Sequence, residues 1–397
     1  MDMDKLRNPF SPGAGSPPPE LVGRNAILEQ ALLALARTKR GRSEKSMILV
    51  GLRGVGKTVL LRKIDQLAQQ ESYRTIFIEA QESKTLPALL YPYLRQLLFS
   101  LDTGEMVHEQ VRRGLRVLKS FLNGLKVKVQ EVEFGLGIDA EQGTADSGDL
   151  EADLAQLFVA VAEAAKSRDT ALAIIVDEIQ YLTEEELRSL IMAVHQVTQR
   201  SLPMVVIGAG LPQVVGKAGN AKSYAERLFD YPAVGPLEKV DAMHALQDPA
   251  RTEGVCFDPA ALEEIIRITQ GYPYFIQEWG YQAWNVAENS PITAEDVRTA
   301  SQIAVRNLDQ AFFRVRFDRL TPREKEYLRA LAELGPNPQR SGDVADMLGA
   351  SVNSVAPIRF SLIKKGMIYS PAHGDTAFTV PLFDTFMKRI MPDFRHS

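Results

Sequence analysis

The sequence predicts an α/β fold: a parallel sheet sandwiched by helices, followed by an all-helical segment and a winged helix-turn-helix. Three observations carry this. First, the short apolar runs Met47-Ile48-Leu49-Val50, Thr75-Ile76-Phe77-Ile78, Ala171 to Val176 and Met204 to Ile207 alternate with helical spacing over 57–70, 86–101, 150–167 and 184–200. Continuously apolar, β-branched runs of this length suit strands buried on both faces, and alternation with helices makes the sheet parallel. Second, strand signals stop at about residue 237, while apolar periodicity continues through 259–269, 274–288 and 294–313. Third, helical patterns at 322–334, 341–348 and 352–365 precede Met367-Ile368-Tyr369, a His373-Gly374-Asp375 turn and Ala377-Phe378-Thr379-Val380, which reads as three helices and a two-stranded wing.

At 397 residues the chain is too long for one compact core. The patterns divide it into an arm at 1–20, a core at 21–236 with an insertion at 103–148, a helical segment at 237–316 and a winged helix at 317–397. Hydrophobic content of 45%, charged content of 24% and a net charge of −4 are ordinary for a globular protein and demand no polyanionic partner. The single cysteine, Cys256, excludes an internal disulfide and suits a reducing compartment. With no apolar run of membrane-spanning length and a polar N-terminus, the expected location is the cytoplasm.

Residues 8–20 read NPFSPGAGSPPPE, a Pro/Gly-rich composition that predicts an extended arm or a disordered terminus. Helical spacing starts after Gly23, with Ile27, Leu28, Ala31, Leu32 and Leu35 on one face. In the insertion, a basic helical stretch from Val111 to Phe121 leads to Lys126-Val127-Lys128-Val129 and Glu131 to Gly135, whose alternation suggests a β-hairpin. Acidic, Gly-rich residues 139–149 read as a linker, and Ser147 or Asp149 can cap the helix that follows.

Gly51-Leu52-Arg53-Gly54-Val55-Gly56-Lys57-Thr58 follows a predicted strand and opens a predicted helix. This is the full G-x-x-x-x-G-K-[ST] pattern in the context that makes it a P-loop. Its glycines let the backbone curl so that successive N–H groups and the helix N-terminus surround phosphates. Lys57 is expected on the β- and γ-phosphates and the Thr58 hydroxyl on Mg²⁺. The role of Arg53 is not readable from the pattern. The apolar strand 171–176 runs into Asp177-Glu178, which places two carboxylates at the ligand edge of an open α/β sheet. Asp177 is then the expected Mg²⁺ partner, and Glu178 the group that aligns and deprotonates an attacking water. The alternative is an acidic pair that starts a helix.

Val22-Gly23-Arg24, the P-loop, Val176-Asp177-Glu178-Ile179-Gln180, Gly271-Tyr272-Pro273 and a terminal winged helix occur in that order. Over about residues 21–390 the chain thereby resembles the AAA+/STAND-type ATPases of prokaryotes, akin to origin-recognition initiators. The resemblance implies that Val22, Gly23 and Arg24 pack beside adenine. It also implies that the helical segment is a lid whose Tyr272 and Pro273 contact the base, and that Arg227 is an arginine finger. Read locally, the same residues are a hydrophobic cap, helix punctuation and a surface arginine. Two departures matter. The strand from Met204 ends in Gly208-Ala209-Gly210, where the AAA+ pattern has a polar sensor residue, and the lid motif lacks the arginine usual in initiators. Both point to a slow, STAND-like nucleotide switch.

Residues 318–397 carry 11 Lys and Arg against 9 Asp and Glu. The expected recognition helix presents Asn353, Ser354, Arg359, Lys364 and Lys365, side chains suited to double-stranded DNA, with Pro357 as an expected kink. The alternative is a winged helix that, with the basic insertion, holds a partner protein. Arg112, Arg113, Arg116, Lys119, Lys126 and Lys128 form the densest basic run, read as a solvated helix face or a partner-binding element. His195, His244 and His373 lack metal-ligand spacing. The expectation is therefore an ATPase switch that binds ATP, ADP and Mg²⁺, with DNA, a partner protein or a second copy of itself as macromolecular partner.

Overall fold

The computed structural model describes residues 3–13, 21–101, 109–125 and 139–394. The expected hairpin, with Lys126 and Lys128, lies outside the described residues. The core runs α1 (Asn25–Lys39), β1 (Ser46–Val50), α2 (Lys57–Gln70), β2 (Tyr73–Glu79), α3 (Leu86–Leu101), α4 (Glu109–Gly124), α5 (Leu150–Lys166), β3 (Ala171–Asp177), α6 (Glu184–Gln199), β4 (Met204–Gly210), α7 (Gln213–Ala221), α8 (Ala225–Leu228) and β5 (Phe229–Asp230). The strands form one five-stranded parallel sheet in the order β2-β3-β4-β1-β5.

Alternate strand residues face opposite layers, as the pleat requires. Met47, Leu49, Ala173 and Ile175 pack with Leu60 and Ile64 of α2 and Leu35 of α1. Ile48, Ile174 and Val176 pack with α3, α5 and α6 on the other side. This two-sided burial is the reason these strands read as unbroken apolar runs. The last strand sits earlier than Ala233-Val234, the sequence expectation. Phe229–Asp230 pairs with Ser46 and Met47, and Ala233 makes only a single bridge to Val50.

The basic helix α4 is a structural part of this second layer. Val111, Leu115, Leu118 and Phe121 are buried in it. Its charges are spent locally: Arg113 pairs with Glu141 (3.2 Å) and Glu163 (2.8 Å), and Arg116 with Glu109 (2.6 Å). Glu141 of the acidic stretch 139–149 thus pairs with the basic helix through Arg113 and, at 3.8 Å, Arg116. Asp149 caps α5 by accepting from the Glu151 N–H at 2.9 Å.

Next come α9 (Lys239–Thr252), α10 (Pro259–Thr269), α11 (Pro273–Val286) and α12 (Ala294–Asn307). A π-helical turn, Leu308–Phe313, joins α12 to α13 (Arg314–Phe317). The C-terminal unit comprises α14 (Pro322–Leu334), β6 (Gln339–Arg340), α15 (Ser341–Met347), α16 (Val352–Lys364), β7 (Ile368–Tyr369), β8 (Asp375–Phe378) and α17 (Phe383–Ile390). This is the expected helix-and-wing arrangement with two additions. β6 extends the wing to three strands in the order β6-β8-β7, and α17 packs back on the aromatic cluster around Phe313. Helix α16 runs unbroken through Pro357, where a kink was expected.

Residues 8–13 are extended, as the composition suggests, but they are anchored. Phe10 is 3% exposed, and its ring lies so close to Gly280 of α11 that a Cβ there would come within 2.7 Å of it. Asn8 donates to the Tyr281 carbonyl (3.1 Å) and to Asn285 Oδ1 (3.0 Å). No described helix is long and apolar enough to cross a membrane.

Candidate functional site

Strand β1 delivers the chain to the sheet's C-terminal edge at Val50, and the loop 51–56 turns it into α2. Gly56, the residue before that helix, has φ +91°, a conformation that residues with a Cβ rarely adopt. Gly51 admits no side chain, because a Cβ would lie 2.1 Å from the Val234 carbonyl oxygen. Lys57 is buried, and its ammonium donates to the carbonyls of Gly51 (2.9 Å) and Leu52 (2.7 Å). Burial draws it down to about 8, against the pull of Glu178 and Asp177, with Arg53 adding to the depression.

Because the strands are parallel, Asp177 at the end of β3 reaches the same edge. Thr58 Oγ1 donates to Asp177 Oδ2 at 2.6 Å, and the Glu178 N–H donates to Asp177 Oδ1 at 2.8 Å. Burial raises Asp177, while these two hydrogen bonds oppose the rise. Glu178 sits at φ +52°, a left-handed conformation uncommon for a glutamate. Its carboxylate accepts from Gln180 Nε2, and Gln180 Oε1 accepts from the Leu211 N–H at 3.1 Å. Glu79, in register with Asp177 on β2, is raised by burial and then by the charges of Asp177 and Glu178.

A cavity of about 260 Å³ opens between this edge and the helical segment, several times the roughly 30 Å³ share of one water. Its lining combines the polar residues 53–58, Glu178 and Arg316 with the apolar Leu21, Val22, Leu237, Ala245 and Ile276. Such a lining suits a molecule with an anionic part and an apolar part. Among the described residues no cluster of His, Cys, Asp or Glu forms a metal site of its own.

A family model described as an AAA ATPase domain matches residues 20–207. The chain contains an AAA ATPase domain. A second model, described as a domain of unknown function, matches residues 310–387. A Walker-type ATPase of Pyrococcus abyssi is 16% identical over 93% of this chain and 96% of that one, with a TM-score of 0.56. Cdc6p from Pyrobaculum aerophilum is 16% identical over 100% of both chains, with a TM-score of 0.49. The ORC1 protein of Aeropyrum pernix, solved in complex with DNA, is 16% identical over 94% of each, with a TM-score of 0.48. No curated protein sequence matches the chain.

Of the residues expected to bind nucleotide in the AAA domain and lid, Val22, Arg24, Gly54, Val55, Gly56, Lys57, Thr58 and Pro273 line the cavity. Gly23, Gly51 and Tyr272 do not. Gly23 makes a left-handed turn against Asp241, and Gly51 lies under the loop with its carbonyl on Lys57. Tyr272 turns its ring into the core of the helical segment beside Phe275, and Tyr274 lines the cavity instead. Arg24 is buried, donating to the carbonyls of Val55 and Gly235, so it braces the P-loop from beneath. Arg227 is exposed on α8, at the edge of the sheet opposite the P-loop.

Two lining elements, and one residue that holds Glu178 from outside the cavity lining, escaped the sequence patterns. Ser11 to Gly13 of the arm form part of the wall, and the Ser11 N–H donates to Gln277 Oε1 at 3.1 Å. Gln180 fills the space above Gly210, where a Cβ would lie 3.0 Å from Gln180 Oε1. The polar group missing from the end of β4 is thus supplied from the segment after Glu178. Arg316 enters from α13. Only the side-chain-free Gly210 hinted at any of these in the sequence.

In the C-terminal unit, Arg359 is engaged internally: it donates to Thr376 Oγ1 (2.8 Å), Ser370 Oγ (2.9 Å) and the Asp375 carbonyl (2.7 Å). Lys365 pairs with Glu324 at 2.7 Å. Asn353, Ser354 and Lys364 stay exposed, next to Val352 (49% exposed) and Phe360 (71% exposed).

Proposed function

We propose that the chain is an ATP-binding and ATP-hydrolysing switch whose nucleotide state sets the position of its C-terminal winged helix. The observation that carries this is the Thr58–Asp177 hydrogen bond at the mouth of a cavity holding a buried, phosphate-ready Lys57. The donor set fits a magnesium nucleotide: a hydroxyl and a carboxylate adjoin, and the lysine is satisfied only by the loop's own carbonyls. Mg²⁺ held by Thr58 and Asp177 would neutralise charge on the phosphates. Lys57 trades its two carbonyl partners for phosphate oxygens. Gly54, Val55 and Gly56 offer backbone N–H groups to the same oxygens. Glu178 takes a proton from the attacking water, with Gln180 holding its carboxylate in place. The apolar lining, from Val22 to Pro273, takes the base. The lack of a polar side chain over Gly208 to Gly210 at the end of β4 supports slow turnover. Arg227, far from its own P-loop, acts on the nucleotide of a neighbouring subunit.

Two variants test the core of this reading. Lys57→Ala should lose ATP binding, whereas Glu178→Gln should keep binding and lose phosphate release. Binding by Lys57→Ala within a few-fold of wild type would refute the site.

For the winged helix, protein contact is the reading we favour over DNA. An α16 with Arg359 held on the wing and Val352, Ala356, Pro357 and Phe360 turned outward presents an apolar face, unlike a surface for phosphates and base edges. Duplex DNA titrated into the ATP-loaded chain at two salt concentrations decides. Affinity that falls steeply with salt and with Lys364→Ala restores the DNA reading.

A further inference from the structure

Gln277 lies on α11, one turn beyond Pro273, and lines the cavity. It is 9% exposed, so the side chain is nine-tenths buried. Its Oε1 accepts from the Ser11 N–H at 3.1 Å. A backbone N–H can donate only to the oxygen of an amide, so this bond fixes how the group is turned: Oε1 faces the arm and Nε2 turns away from it. Among the described residues Nε2 has no hydrogen-bond partner. The neighbouring polar groups of the same helix are satisfied. Gln282 Nε2 donates to Glu278 Oε1 at 2.9 Å, and Asn307 Nδ2 donates to the same atom at 3.4 Å. A buried amide donor without an acceptor is costly, and the cost is relieved when a ligand supplies one. Gln277 is the one side-chain amide among the described residues of the cavity wall.

The arm that turns this amide is laid along the same helix. The Met3 N–H donates to the Glu288 carbonyl (3.1 Å), Trp284 Nε1 to the Asp4 carbonyl (2.9 Å), and Asn8 to Tyr281 and Asn285. Phe10 sits on Gly280, and Ser11 then reaches Gln277. Successive arm residues thus track back along α11 toward its first turn. They bring Ser11, Pro12 and Gly13 to the cavity wall, which Leu21 and Val22 also line. Pro12 has no N–H, and the Ser11 N–H is spent on Gln277, so the backbone of these two residues offers a ligand only carbonyl oxygens. Among the described residues neither carbonyl accepts a hydrogen bond.

The cavity therefore holds an uncharged donor beside uncharged acceptors, in addition to the cationic groups that suit phosphate. Adenine carries the matching pair on one edge: the N6 amino group donates and the adjacent N1 accepts.

We propose that Gln277 is a base-reading residue: its Nε2 donates to N1 of adenine while a backbone carbonyl of Ser11 or Pro12 takes the N6 amino group, so that the arm and α11 together select adenine over 6-oxopurines. The inference rests on the P-loop reading above, which accounts for the phosphates of the same ligand. Hypoxanthine and guanine carry O6 in place of the amino group and a hydrogen on N1. Both positions then mismatch, with carbonyl against oxygen and amide N–H against N–H. A site whose buried polar groups are left unpaired by the wrong ligand rejects it strongly.

The test measures the affinities of ATP and inosine triphosphate, which differs from ATP only at these two positions. Calorimetry is run on the full chain carrying Glu178→Gln, so that neither nucleotide is consumed. The parent should bind ATP at least about tenfold more tightly. Gln277→Glu keeps an acceptor for the Ser11 N–H and replaces the free donor by an acceptor, so the preference should fall below about threefold or reverse. The added negative charge acts on both triphosphates alike and cancels in the ratio. Ser11→Pro, on the exposed arm, removes the N–H that holds Oε1 and should lower the ratio several-fold with Gln277 intact. Equal binding of the two nucleotides by the parent, or an unchanged ratio in either variant, would overturn the proposal. If Gln277→Glu does not fold, as judged by circular dichroism, Ser11→Pro alone decides: an unchanged ratio refutes it. Lys57→Ala should lose both nucleotides; if it retains them, the P-loop reading fails, while the ratio still judges Gln277.

Discussion

Gly210→Ala probes how the end of β4 governs the carboxylate across from it. A Cβ at this position would lie 2.8 Å from Ile179 Cγ2, 3.0 Å from Gln180 Oε1 and 3.3 Å from Val214 Cγ2. Ile179 and Val214 are fully buried and have nowhere to go, whereas Gln180 is partly exposed and is the group that yields. Its displacement breaks the bond from the Leu211 N–H and withdraws the amide from Glu178. Overpacking of this kind costs about 1–3 kcal/mol of stability. The lost tether is one hydrogen bond to a charged group, worth roughly 1.5–3 kcal/mol, so kcat should drop about tenfold or more. ATP affinity should stay within about threefold, since the backbone bond from Gly51 N–H to the Gly210 carbonyl does not involve the side chain. The assay is phosphate release at saturating ATP, alongside equilibrium binding. Gln180→Ala should reproduce the rate loss without the steric cost, and neither change should slow a Glu178→Gln enzyme further. Unchanged kcat in both single variants would refute a positioning role for Gln180.

Phe10→Ala should release the N-terminal arm and speed ATP dissociation several-fold, measured by stopped-flow chase. The stability loss should be below the roughly 3–5 kcal/mol of an enclosed core phenylalanine, because the arm peels away instead of leaving a void; an unchanged off-rate refutes it. Lys57 falls to about 8 by burial, so the free protein loses this charge as pH rises through 8. Since bound phosphate favours the ammonium, ATP affinity should be full below that value and decline by up to about tenfold per unit above it. A flat binding profile from pH 7 to 9.5 counts against a phosphate-facing lysine. If Arg227 acts between subunits, specific activity should rise with protein concentration, and mixing Arg227→Ala with Lys57→Ala should restore part of a contribution worth roughly 10³-fold or more. No rescue would leave Arg227 a surface residue.

What was legible in the sequence follows from the range over which each feature is encoded. The P-loop and Asp177-Glu178 were readable because strand, turn and first helical residues are contiguous and both strands are buried on two faces. The capping of α5 by Asp149 was readable for the same local reason. Helix α9 carries Pro249 inside it, which blurred its periodicity although Ala242, Leu246 and Ala250 are buried. Strand β6 is two residues long and exists only because Gln339 and Arg340 find Thr376 and Asp375. Phe10 on Gly280 and Arg316 beside Arg53 join residues more than 250 positions apart, and no periodicity encodes such pairs. Arg359 illustrates the limit most sharply: its position on the recognition helix suggested DNA, while its partners lie on the wing.

The docking of the C-terminal unit gives the switch reading a scale. The Arg53 N–H donates to the Thr379 carbonyl at 3.3 Å, and the Arg53 guanidinium lies so close to Gly366 that a Cβ there would come within 2.7 Å of Nη2. Arg53 belongs to the phosphate loop, so these contacts tie the wing directly to the backbone that must surround phosphate. One backbone hydrogen bond and one packed guanidinium amount to a few kcal/mol at most. Shifting a two-state equilibrium from 1:99 to 99:1 takes about 5.5 kcal/mol of differential affinity. Under the proposed switch, bound nucleotide would have to outweigh only these few kcal/mol of docking contact to favour release of this unit. The same arithmetic predicts that Gly366→Ala, which crowds Arg53 and places a Cβ at φ +65°, weakens the docked state selectively. Protease sensitivity between α13 and α14 should then rise in the ADP-bound protein, with little change when ATP is bound. Equal sensitivity of Gly366→Ala and wild type in ADP would show that the wing does not hold the loop.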